Sequence, residues 1–557
     1  MQLNVPKDML IYGFESRGNV ITPPHYQPKK FCGDTLLWLL PKDPDHGKAQ
    51  KITCGHYAVK NGRVTFIGDY TGEEHPARPA CDFFGNAIKL DIPHGDVFEQ
   101  AYARFYWDNL LQQIAERTMM RNKHDVRDGY VLSTLNKRAY AGTYPAVDHE
   151  FHMKGRFAVS GAAEASLIRR MLELQLKIMR EDKTASSKNV CAVQPSRARE
   201  YDVWRSSADK SVRAQMFRIT ANIEFIEGMY NYYCLTKDID FLRTHLHALE
   251  RNCTYIESFI RHDGLLDSHV YYEDQVIKDG PVAQAQCFAV HAFMLMSKLE
   301  ALLGRTEQVT HYSELAETLG EALQLFWDEQ NGRFIDWIDG RGQRHDHVHL
   351  LANQLPTMLG LVSEEQAQAC ADTIKQYSNI WTKFPSFVAA KIEDYTDSEL
   401  GCPYDLCAAG RYWCWDAEFL AWQGNGEALL AQLLQVAEQA KLDNFLMGER
   451  YDMNYVYYQD DKNWHGASLY YEYPNVFMYV LVCHYLGVRR GFDCDLVINP
   501  LINEGTVTLE QYGISYTVQD GTLTLHNIRS RTLTIDLPGQ SKQITLAAGQ
   551  SKALTLR

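Results

Sequence analysis

The sequence predicts a mainly α-helical protein in which helical hairpins form an (α/α)6 toroid between two β-rich ends. Three observations carry this prediction. Apolar residues repeat at helical spacing through residues 96–490, the repeat changes to every second position after Gly487, and residues 1–95 are irregular and rich in strand-forming stretches. About twelve helices are expected in the central part, which is the number that six hairpins need. We therefore expect a β-rich N-terminal region at 1–95, a catalytic domain at 96–490 and a small β-sandwich at 491–557.

The N-terminal region contains a hairpin signal. Two stretches with alternating apolar residues, 51–59 and 63–68, flank the dipeptide Asn61-Gly62. Asn and Gly tolerate the positive φ angles of a two-residue hairpin turn, so the two stretches are expected to pair as antiparallel strands.

One-sided apolar stripes predict the helices of the central region. The five strongest stripes run over Leu167–Ile178, Met216–Tyr233, Leu242–Ile256, Phe288–Leu303 and Tyr312–Phe326. Further helices are expected at 97–119, 363–378, 405–423, 427–441 and 474–486. No repeat of the length typical of helical solenoids is visible, so a closed ring of hairpins is favoured over an open superhelix.

The C-terminal residues alternate in polarity and predict short strands. These strands are expected at 506–509, 514–518, 522–525, 532–535 and 544–546. Asp520-Gly521 marks a hairpin turn between two of them. The pattern is typical of a small β-sandwich.

Composition and charge exclude several classes of partner. The 557 residues carry a formal net charge of −14, which disfavours nucleic acids and anionic membranes as partners. The N-terminus lacks the pattern of a signal peptide and the longest apolar run is too short to span a bilayer, so a soluble cytoplasmic protein is expected. The 13 cysteines show no paired spacing and are expected to be reduced thiols. The sequence does not decide between a monomer and a homo-oligomer.

The most informative local pattern is a carboxylate in an aromatic loop before the last long helix. Glu449 lies in the segment Gly448–Asp452, ahead of the apolar stretch that ends at Gly487. The neighbouring Arg450 would favour the ionised carboxylate that a general base requires. The alternative is an ordinary surface ion pair between Glu449 and Arg450.

Two other glutamates are candidates for a general acid. A general acid must be protonated while the base beside it is ionised, and burial among aromatic rings raises a carboxyl pKa. Glu273 follows two tyrosines, whereas Glu150 is expected in a loop with Asp148 and Arg156. Either glutamate is equally explained as a helix-capping or loop acid. Glu472 is expected to cap the last helix or to bind a hydroxyl group.

Two further clusters are candidates for binding sites. His345, His347 and His349 alternate along the chain, but no neighbouring Cys or Glu completes a metal site. We therefore expect a solvated loop there, with no catalytic metal and no cofactor. Basic residues around Trp204 would either clamp an acidic sugar or form a solvated loop.

The order of the regions and several motifs resemble the six-hairpin glycosidases, a superfamily that includes α-L-rhamnosidases, trehalases, glucoamylases, processing glucosidases and disaccharide phosphorylases. Gly448–Asp452 resembles the general-base segment of glucoamylases and processing glucosidases. Tyr271–Asp274 lies where glucoamylases carry the general acid, whereas residues 144–157 resemble the rhamnosidase branch. Arg411–Trp413, with Trp415, is similar to part of a sugar-binding stretch of the glucosidase branch.

The resemblance implies a glycoside hydrolase, inverting in mechanism, that acts on an oligosaccharide or glycoside. The catalytic candidates are Glu449, Glu273 and Glu150. The expected substrate-binding residues are Asp148, Arg156, Trp204, Asp274, Trp413, Trp415, Trp464, His465 and Glu472. The alternatives are a disaccharide phosphorylase, in which His465–Ser468 would resemble the phosphate loop, a polysaccharide lyase, and a carbohydrate-binding protein without activity.

Overall fold

The computed structural model describes most of the chain from residue 87 onward and isolated strands before it. The described residues are 9–16, 19–21, 35–41, 53–60, 63–71, 80–81, 87–110, 114–115, 130–131, 144–145, 149–182, 184, 186–193, 199–201, 203–273, 276–391, 394–401, 407–443, 445, 447–451, 470–540 and 542–555.

Helices dominate the central region. They are α1 (Gly95–Phe105), α2 (His149–Val159), α3 (Ala162–Arg180), α4 (Thr220–Thr236), α5 (Ile239–Glu257), α6 (Ala283–Leu302), α7 (Thr306–Ala322), α8 (Leu350–Met358), α9 (Glu364–Gln376), α10 (Ser378–Trp381), α11 (Gly410–Trp422), α12 (Gly426–Leu442) and α13 (Glu472–Tyr479). Single π-helical segments extend α1 over Tyr106–Leu110 and α13 over Val480–Tyr485, and a 3₁₀ turn follows α7 at Leu323–Phe326.

Six of the described helices contact one another in a closed order. In that order α2 packs against α4, α4 against α6, α6 against α8, α8 against α11, α11 against α13, and α13 against α2. The helices that alternate with them along the chain pack on the outside of this ring: α1, α3, α5, α7, α9 and α12. The inner helices are buried on nearly all sides, as in α6, where residues of every face are inaccessible to water. Outer and inner helices thus alternate along the chain, as expected for a ring of helical hairpins.

The helices agree with the sequence patterns where those patterns are one-sided. The stripes beginning at Leu167, Leu242, Phe288 and Tyr312 lie on α3, α5, α6 and α7. The helix expected at 363–378 is α9, and it begins with a capping box in which Ser363 accepts a hydrogen bond from the Gln366 backbone at 3.2 Å.

Three predictions about helices were wrong. Met216 lies in a strand rather than at the start of α4, because residues 203–206 and 213–216 pair as a short hairpin. The segment expected to be one helix at 97–119 is described as helical up to Leu110, but Ile114–Ala115 forms a strand. Glu150 was expected in a loop but lies in the first turn of α2. α2 and α8 had not been predicted as helices.

The described strands form a five-stranded sheet from the N-terminal region, a six-stranded and a four-stranded sheet built mainly from C-terminal strands, and several two- or three-stranded sheets. They are β1 (Met9–Ser16), β2 (Asn19–Ile21), β3 (Thr35–Pro41), β4 (Thr53–Lys60), β5 (Arg63–Thr71), β6 (Ala80–Cys81), β7 (Ala87–Asp91), β8 (Ile114–Ala115), β9 (Tyr130–Val131), β10 (Tyr144–Pro145), β11 (Ala192–Val193), β12 (Arg199–Glu200), β13 (Val203–Ser206), β14 (Arg213–Met216), β15 (Trp327–Asp328), β16 (Arg333–Phe334), β17 (Trp337–Ile338), β18 (Arg344–His345), β19 (Ala408–Ala409), β20 (Arg450–Tyr451), β21 (Val488–Arg490), β22 (Leu496–Ile498), β23 (Gly505–Leu509), β24 (Ile514–Gln519), β25 (Thr522–Asn527), β26 (Leu533–Asp536), β27 (Ile544–Leu546) and β28 (Ser551–Thr555).

The expected N-terminal hairpin is confirmed. β4 pairs antiparallel with β5, and Lys60 lies opposite Arg63, which leaves two residues for the turn. The two strands form one edge of a five-stranded sheet in the order β2-β1-β3-β4-β5.

The C-terminal strands form a six-stranded and a four-stranded sheet. The larger sheet has the order β28-β25-β24-β23-β7-β6, so β6 and β7 from before the helical region complete it. Its strands alternate between buried and partly exposed positions, and the turn at Asp520-Gly521 has the positive φ angles of 48° and 70° that its sequence predicts. β21, β22, β26 and β27 form the smaller sheet. Buried residues of both sheets belong to the same apolar core as the helices.

Candidate active site

The loops that precede the inner helices carry most of the predicted catalytic residues. Glu273 lies between α5 and α6, and Glu449 lies between α12 and α13. Glu472 is the first residue of α13. Because the inner helices share one direction around a ring of this kind, their preceding loops collect at one end of it.

Glu273 is a buried carboxylate surrounded by hydrogen-bond donors. Its Oε1 accepts a hydrogen bond from Gln284 Nε2 at 2.6 Å and contacts His349 Nε2. The other ring nitrogen of His349 accepts a hydrogen bond from the Ala352 backbone N–H, so Nε2 carries the hydrogen and donates it to Glu273. The Lys278 ammonium lies 3.5 Å from Oε2.

These neighbours set the protonation state of Glu273. Burial alone would raise the pKa of its carboxyl, but the positive charge of Lys278 and then the contact with His349 outweigh burial and hold the pKa well below its ordinary value. The expectation that a buried Glu273 has a raised pKa is therefore wrong, because burial among aromatic residues comes with a buried cation. The carboxyl group is ionised in the free protein.

Lys278 links Glu273 to a second buried acid. Its ammonium group lies 2.7 Å from Asp336 Oδ1, on the loop before α8. All three side chains are inaccessible or nearly inaccessible to water, and the single ammonium group pairs with both acidic side chains. Removal of Lys278 would leave both acids without their cation in a water-poor site.

Glu449 is held beside the start of α11. Arg450 pairs across a two-residue ladder with Ala409, which directly precedes α11. The Arg450 guanidinium lies 3.1 Å from Glu449 Oε1, and both side chains are about 2% exposed. The alternative of a surface ion pair is therefore wrong, since this pair is buried.

Glu472 and Arg411 join the starts of α13 and α11. Glu472 accepts a hydrogen bond from the Arg411 backbone N–H at 3.1 Å, and the Arg411 guanidinium lies 3.3 Å from its other oxygen. Gly410 allows this approach, because a Cβ atom there would lie 2.8 Å from the Glu472 Cβ atom. The Arg411 guanidinium also faces the Tyr272 ring at 5.9 Å. Tyr272 precedes Glu273, so the Glu273 and Glu449 loops meet at the same end of the ring.

Glu150 lies in a different environment. Its Oε1 contacts Lys154 Nζ at 2.5 Å and accepts a hydrogen bond from Trp415 Nε1 at 3.2 Å. Lys154 also pairs with Glu227 at 3.0 Å and Glu418 at 2.7 Å. Burial, and then repulsion from Glu227, raise the pKa of Glu150 to about 8.

Aromatic rings pack around Glu150 in tilted and edge-on contacts. Trp415 lies within 6 Å of three other rings, with centroid distances of 4.3 Å to Phe288, 5.1 Å to Tyr272 and 5.7 Å to Phe151. The Lys154 cluster continues from there to a cavity of about 540 Å³, whose lining includes Glu227 and Glu418. This cavity contains none of Glu273, Glu449 and Glu472 in its lining. Glu150 lies at the start of α2, and Phe151 and Trp415 both contact Tyr272, so Glu150 lies near the Glu273 loop, although its carboxyl group is held by Lys154 and Trp415.

The predicted substrate-binding residues are unequally accessible. Arg156 is buried against Glu164 at 2.7 Å and the Leu110 carbonyl oxygen at 2.7 Å. Trp413 is buried and donates a hydrogen bond to Gln432 at 3.0 Å. Trp204 is 43% exposed and stacks on the Arg213 guanidinium at 4.9 Å. A role in sugar binding stays a prediction for each of them. Asp148, Asp274, Trp464 and His465 lie outside the described residues.

The alternating histidines do not form a solvated loop. His349 is 1% exposed and binds Glu273, while His345 and His347 are mostly buried and both contact Glu399. The expectation failed because the acidic partner lies more than fifty residues further along the chain, where local spacing gives no signal. The same reason applies to Lys278 and Asp336, which the sequence patterns did not single out.

The chain was compared with known proteins. No family model matches it. It is 24% identical over 258 residues to an N,N'-diacetylchitobiose phosphorylase of Vibrio proteolyticus, which covers 42% of this chain and 31% of that protein. The chain thus spans less than a third of the length of that curated relative.

Two solved structures have a similar backbone over most of the chain. A GH78 family rhamnosidase of Bacillus sp. GL1 matches with a TM-score of 0.55 and 15% identity, over 93% of this chain and 55% of that one. An α-L-rhamnosidase from Dictyoglumus thermophilum matches with a TM-score of 0.51 and 13% identity, over 84% and 50%. The chain covers about half the length of each. These likenesses and the alternation of inner and outer helices show that the chain has the fold of the six-hairpin glycosidase superfamily, with its branch left open.

Proposed function

We propose that the protein is an inverting glycoside hydrolase that cleaves an oligosaccharide or glycoside, built on an (α/α)6 toroid with a C-terminal β-sandwich. One observation carries the proposal. Two buried carboxylates, Glu273 and Glu449, lie on loops that meet at the same end of the inner helices. Hydrolysis with inversion uses one carboxyl group as acid and a second as base.

Glu449 is the proposed general base. The buried Arg450 guanidinium stabilises a negative charge on its carboxylate, which is the form that removes a proton from water. The ladder between β19 and β20 fixes the backbone directly after Glu449, so main-chain hydrogen bonds hold this segment beside the start of α11. Glu472 lies beside the same helix start and is the first alternative.

Glu273 is the proposed general acid, although Glu150 has the raised pKa. A general acid must first reach the oxygen of the leaving group, and only then does its pKa matter. Glu273 follows Tyr272, which faces Arg411 at the start of α11 beside Glu449, whereas the Glu150 carboxyl group contacts Lys154 and Trp415. Glu273 would then take up its proton in the substrate complex, since it is ionised in the free protein.

A second candidate is phosphorolysis. The curated relative that aligns with 42% of the chain is named as a phosphorylase. In that reaction phosphate attacks the sugar in place of water, so a general base is not required. The buried Glu449 favours hydrolysis, and phosphate dependence separates the two reactions.

The test is turnover of a panel of aryl glycosides and disaccharides, with and without inorganic phosphate. Wild-type protein is expected to release sugar without phosphate, and the first-formed anomer is expected to be inverted. Glu449→Gln should lower kcat by about 10²–10⁴-fold with little change in substrate binding, because the lost interaction belongs to the transition state. Glu438→Gln, an exposed glutamate of α12, is the matched control and should keep wild-type activity.

Three results would change the assignment. Retention of more than about a tenth of kcat in Glu449→Gln would exclude it as the base, because a general base contributes at least ~10²-fold, and Glu472→Gln would be tested next. Strict dependence on phosphate would assign a phosphorylase. Binding of sugars without turnover of any of them would assign a carbohydrate-binding protein.

A further inference from the structure

Three side chains from two separate segments converge beside the candidate active site. His345 and His347 precede α8, and Glu399 lies in the loop before α11. Glu399 Oε1 lies 2.8 Å from His345 Nδ1 and 2.9 Å from His347 Nε2. One ligand atom of each residue lies within 4.8 Å of the others, which is close enough for a single metal ion to contact all three.

Aromatic rings hold both imidazoles in place. Trp337 stacks on His345 with a centroid distance of 4.1 Å and an angle of 6° between the planes. Tyr395 stacks on His347 at 3.9 Å and 8°. The side chains of the two histidines and Glu399 are only 10–14% exposed. The ring orientations are therefore fixed before any ion binds, which lowers the entropy lost on binding.

Each potential ligand is also held from its far side. Glu399 Oε2 accepts hydrogen bonds from the Thr396 backbone N–H at 2.8 Å and the Thr396 hydroxyl at 3.0 Å. His345 Nε2 faces the Asp339 carboxylate at 3.7 Å. Metal-binding imidazoles commonly direct the second ring nitrogen at a carboxylate, which orients the ring and increases its basicity.

Hydrogen bonding alone does not satisfy this cluster with neutral rings. If His345 Nδ1–H donates to Glu399, its Nε2 lone pair is buried without a hydrogen-bond donor and faces the Asp339 carboxylate. If Nε2 carries the hydrogen instead, the Nδ1 lone pair faces a carboxylate oxygen at 2.8 Å. A cation between His345, His347 and Glu399 removes this conflict. His345 Nδ1 and His347 Nε2 then each offer a lone pair to the cation, and the Nε2–H of His345 points at the Asp339 carboxylate.

We propose that His345, His347 and Glu399 form a binding site for one divalent transition-metal ion such as Zn²⁺. Two imidazoles and one carboxylate are typical of ions that prefer nitrogen and oxygen ligands, and such a site leaves a position for water. The ion would tie the loop of Glu399 to the hairpin of β17 and β18. This site does not depend on the proposed reaction, and Glu273 is not one of its ligands.

The test is Zn²⁺ binding to the full chain after removal of bound metal with EDTA and dialysis. Isothermal titration should give one site per chain, and Co²⁺ should produce the visible absorption of a low-coordinate ion. Glu399→Gln and His347→Gln each remove a ligand and should lower the affinity for Zn²⁺ at least about ten-fold. Asp339→Asn changes the group that orients His345 and should lower it by about 10–100-fold. His311→Ala is the matched control, because His311 also pairs with one glutamate, Glu257 at 3.1 Å, but has no second histidine.

Thermal unfolding distinguishes a metal site from a cluster held only by hydrogen bonds. Zn²⁺ should raise the Tm of wild type and of His311→Ala but not that of His347→Gln, which keeps an N–H donor for Glu399. Equal Zn²⁺ affinity in wild type and His347→Gln, or no stoichiometric binding by wild type, would overturn the proposal. The rival explanation is that one histidine is an imidazolium and no metal binds. It predicts no stoichiometric Zn²⁺ binding by wild type.

Discussion

Glu273 and Glu150 are buried carboxyl groups whose pKa values move in opposite directions, and leaving-group dependence distinguishes their roles. If Glu273 donates the proton, Glu273→Gln should lose far less activity on nitrophenyl glycosides than on disaccharides, because a good leaving group needs little protonation. Glu150→Gln should show no such difference. The measurement is kcat/KM for both classes of substrate. If Glu150→Gln shows the leaving-group effect instead, Glu150 and not Glu273 is the general acid.

Glu150 also makes stability depend on pH. Its pKa is raised from 4.5 to about 8, so between these values the folded protein keeps a proton that the unfolded chain releases. The free energy of unfolding of wild type therefore decreases as pH rises through this interval, and the decrease is complete above about pH 8. Relative to wild type, Glu150→Gln should become more stable from pH 5 to pH 9, as measured by urea unfolding. A constant difference would show that Lys154 keeps Glu150 ionised.

Single residues were predictable where one segment contained the whole signal. The segment around Glu449 pointed to a carboxylate beside a cation, and the structure places that pair in the interior. Lys278 and Glu399 gave no such signal, because the residues that they pair with lie on other loops, far away in sequence. A buried cation cannot be recognised from sequence until its distant acids are known.

At the level of elements, the contact between α2 and α13 closes the order of inner helices. Gly155 lies at their closest approach, where a Cβ atom would be 2.7 Å from the Asn475 Cα atom. Gly155→Ala should therefore force the two backbones apart and cost about 1–3 kcal/mol in the free energy of unfolding. The check is chemical denaturation, and activity should fall with it because α13 begins at Glu472.

A glycine on an outer helix provides the control. Gly320 of α7 is also helical, but a Cβ atom there meets only the Leu361 side chain, at 3.1 Å. Gly320→Ala should be neutral or stabilising by up to about 1 kcal/mol, because alanine has the higher helix propensity. Equal effects of the two substitutions would contradict a tight contact between α2 and α13.

The outer helices were easier to predict than the inner ones. α5 and α7 present one face to water and show clear apolar stripes. α2 buries charged residues among apolar ones, including Glu150, Lys154 and Arg156, so its pattern resembled a loop. α8 is short and contains Pro356. In both helices, polar or helix-breaking residues interrupt the apolar period, whereas the equally buried α6 keeps its stripe.

At the scale of the molecule, the C-terminal sheets contact the helices closely enough to unfold with them. Tyr512 donates hydrogen bonds to the carbonyl oxygens at the end of α2, at 3.0 Å and 3.2 Å, and Tyr516 donates to the Leu486 carbonyl oxygen at 2.7 Å. We expect far-ultraviolet circular dichroism and tryptophan fluorescence to report one unfolding transition. A separate transition of the β-rich end would show that these contacts are weaker than the sheets themselves.

The helices also give no sign of membrane insertion, since none in the described part of the chain combines the length and the apolar character of a bilayer-spanning segment. The exposed sites on the outer helices instead carry charged side chains, as in α7 and α9.

The pairing of β7 with β23 has a consequence for how the chain is made. Asp91 lies opposite Thr506, 415 residues later (506 − 91), so β7 cannot pair with β23 until that later strand has left the ribosome. At ~5–20 residues per second this takes about 20–80 s. Through that time the nascent chain carries a strand whose backbone donors and acceptors lack their final neighbour, which is a template for wrong pairing. Faster translation, or a chaperone that shields this edge, should therefore raise the yield of active protein more than it changes the stability of the finished fold.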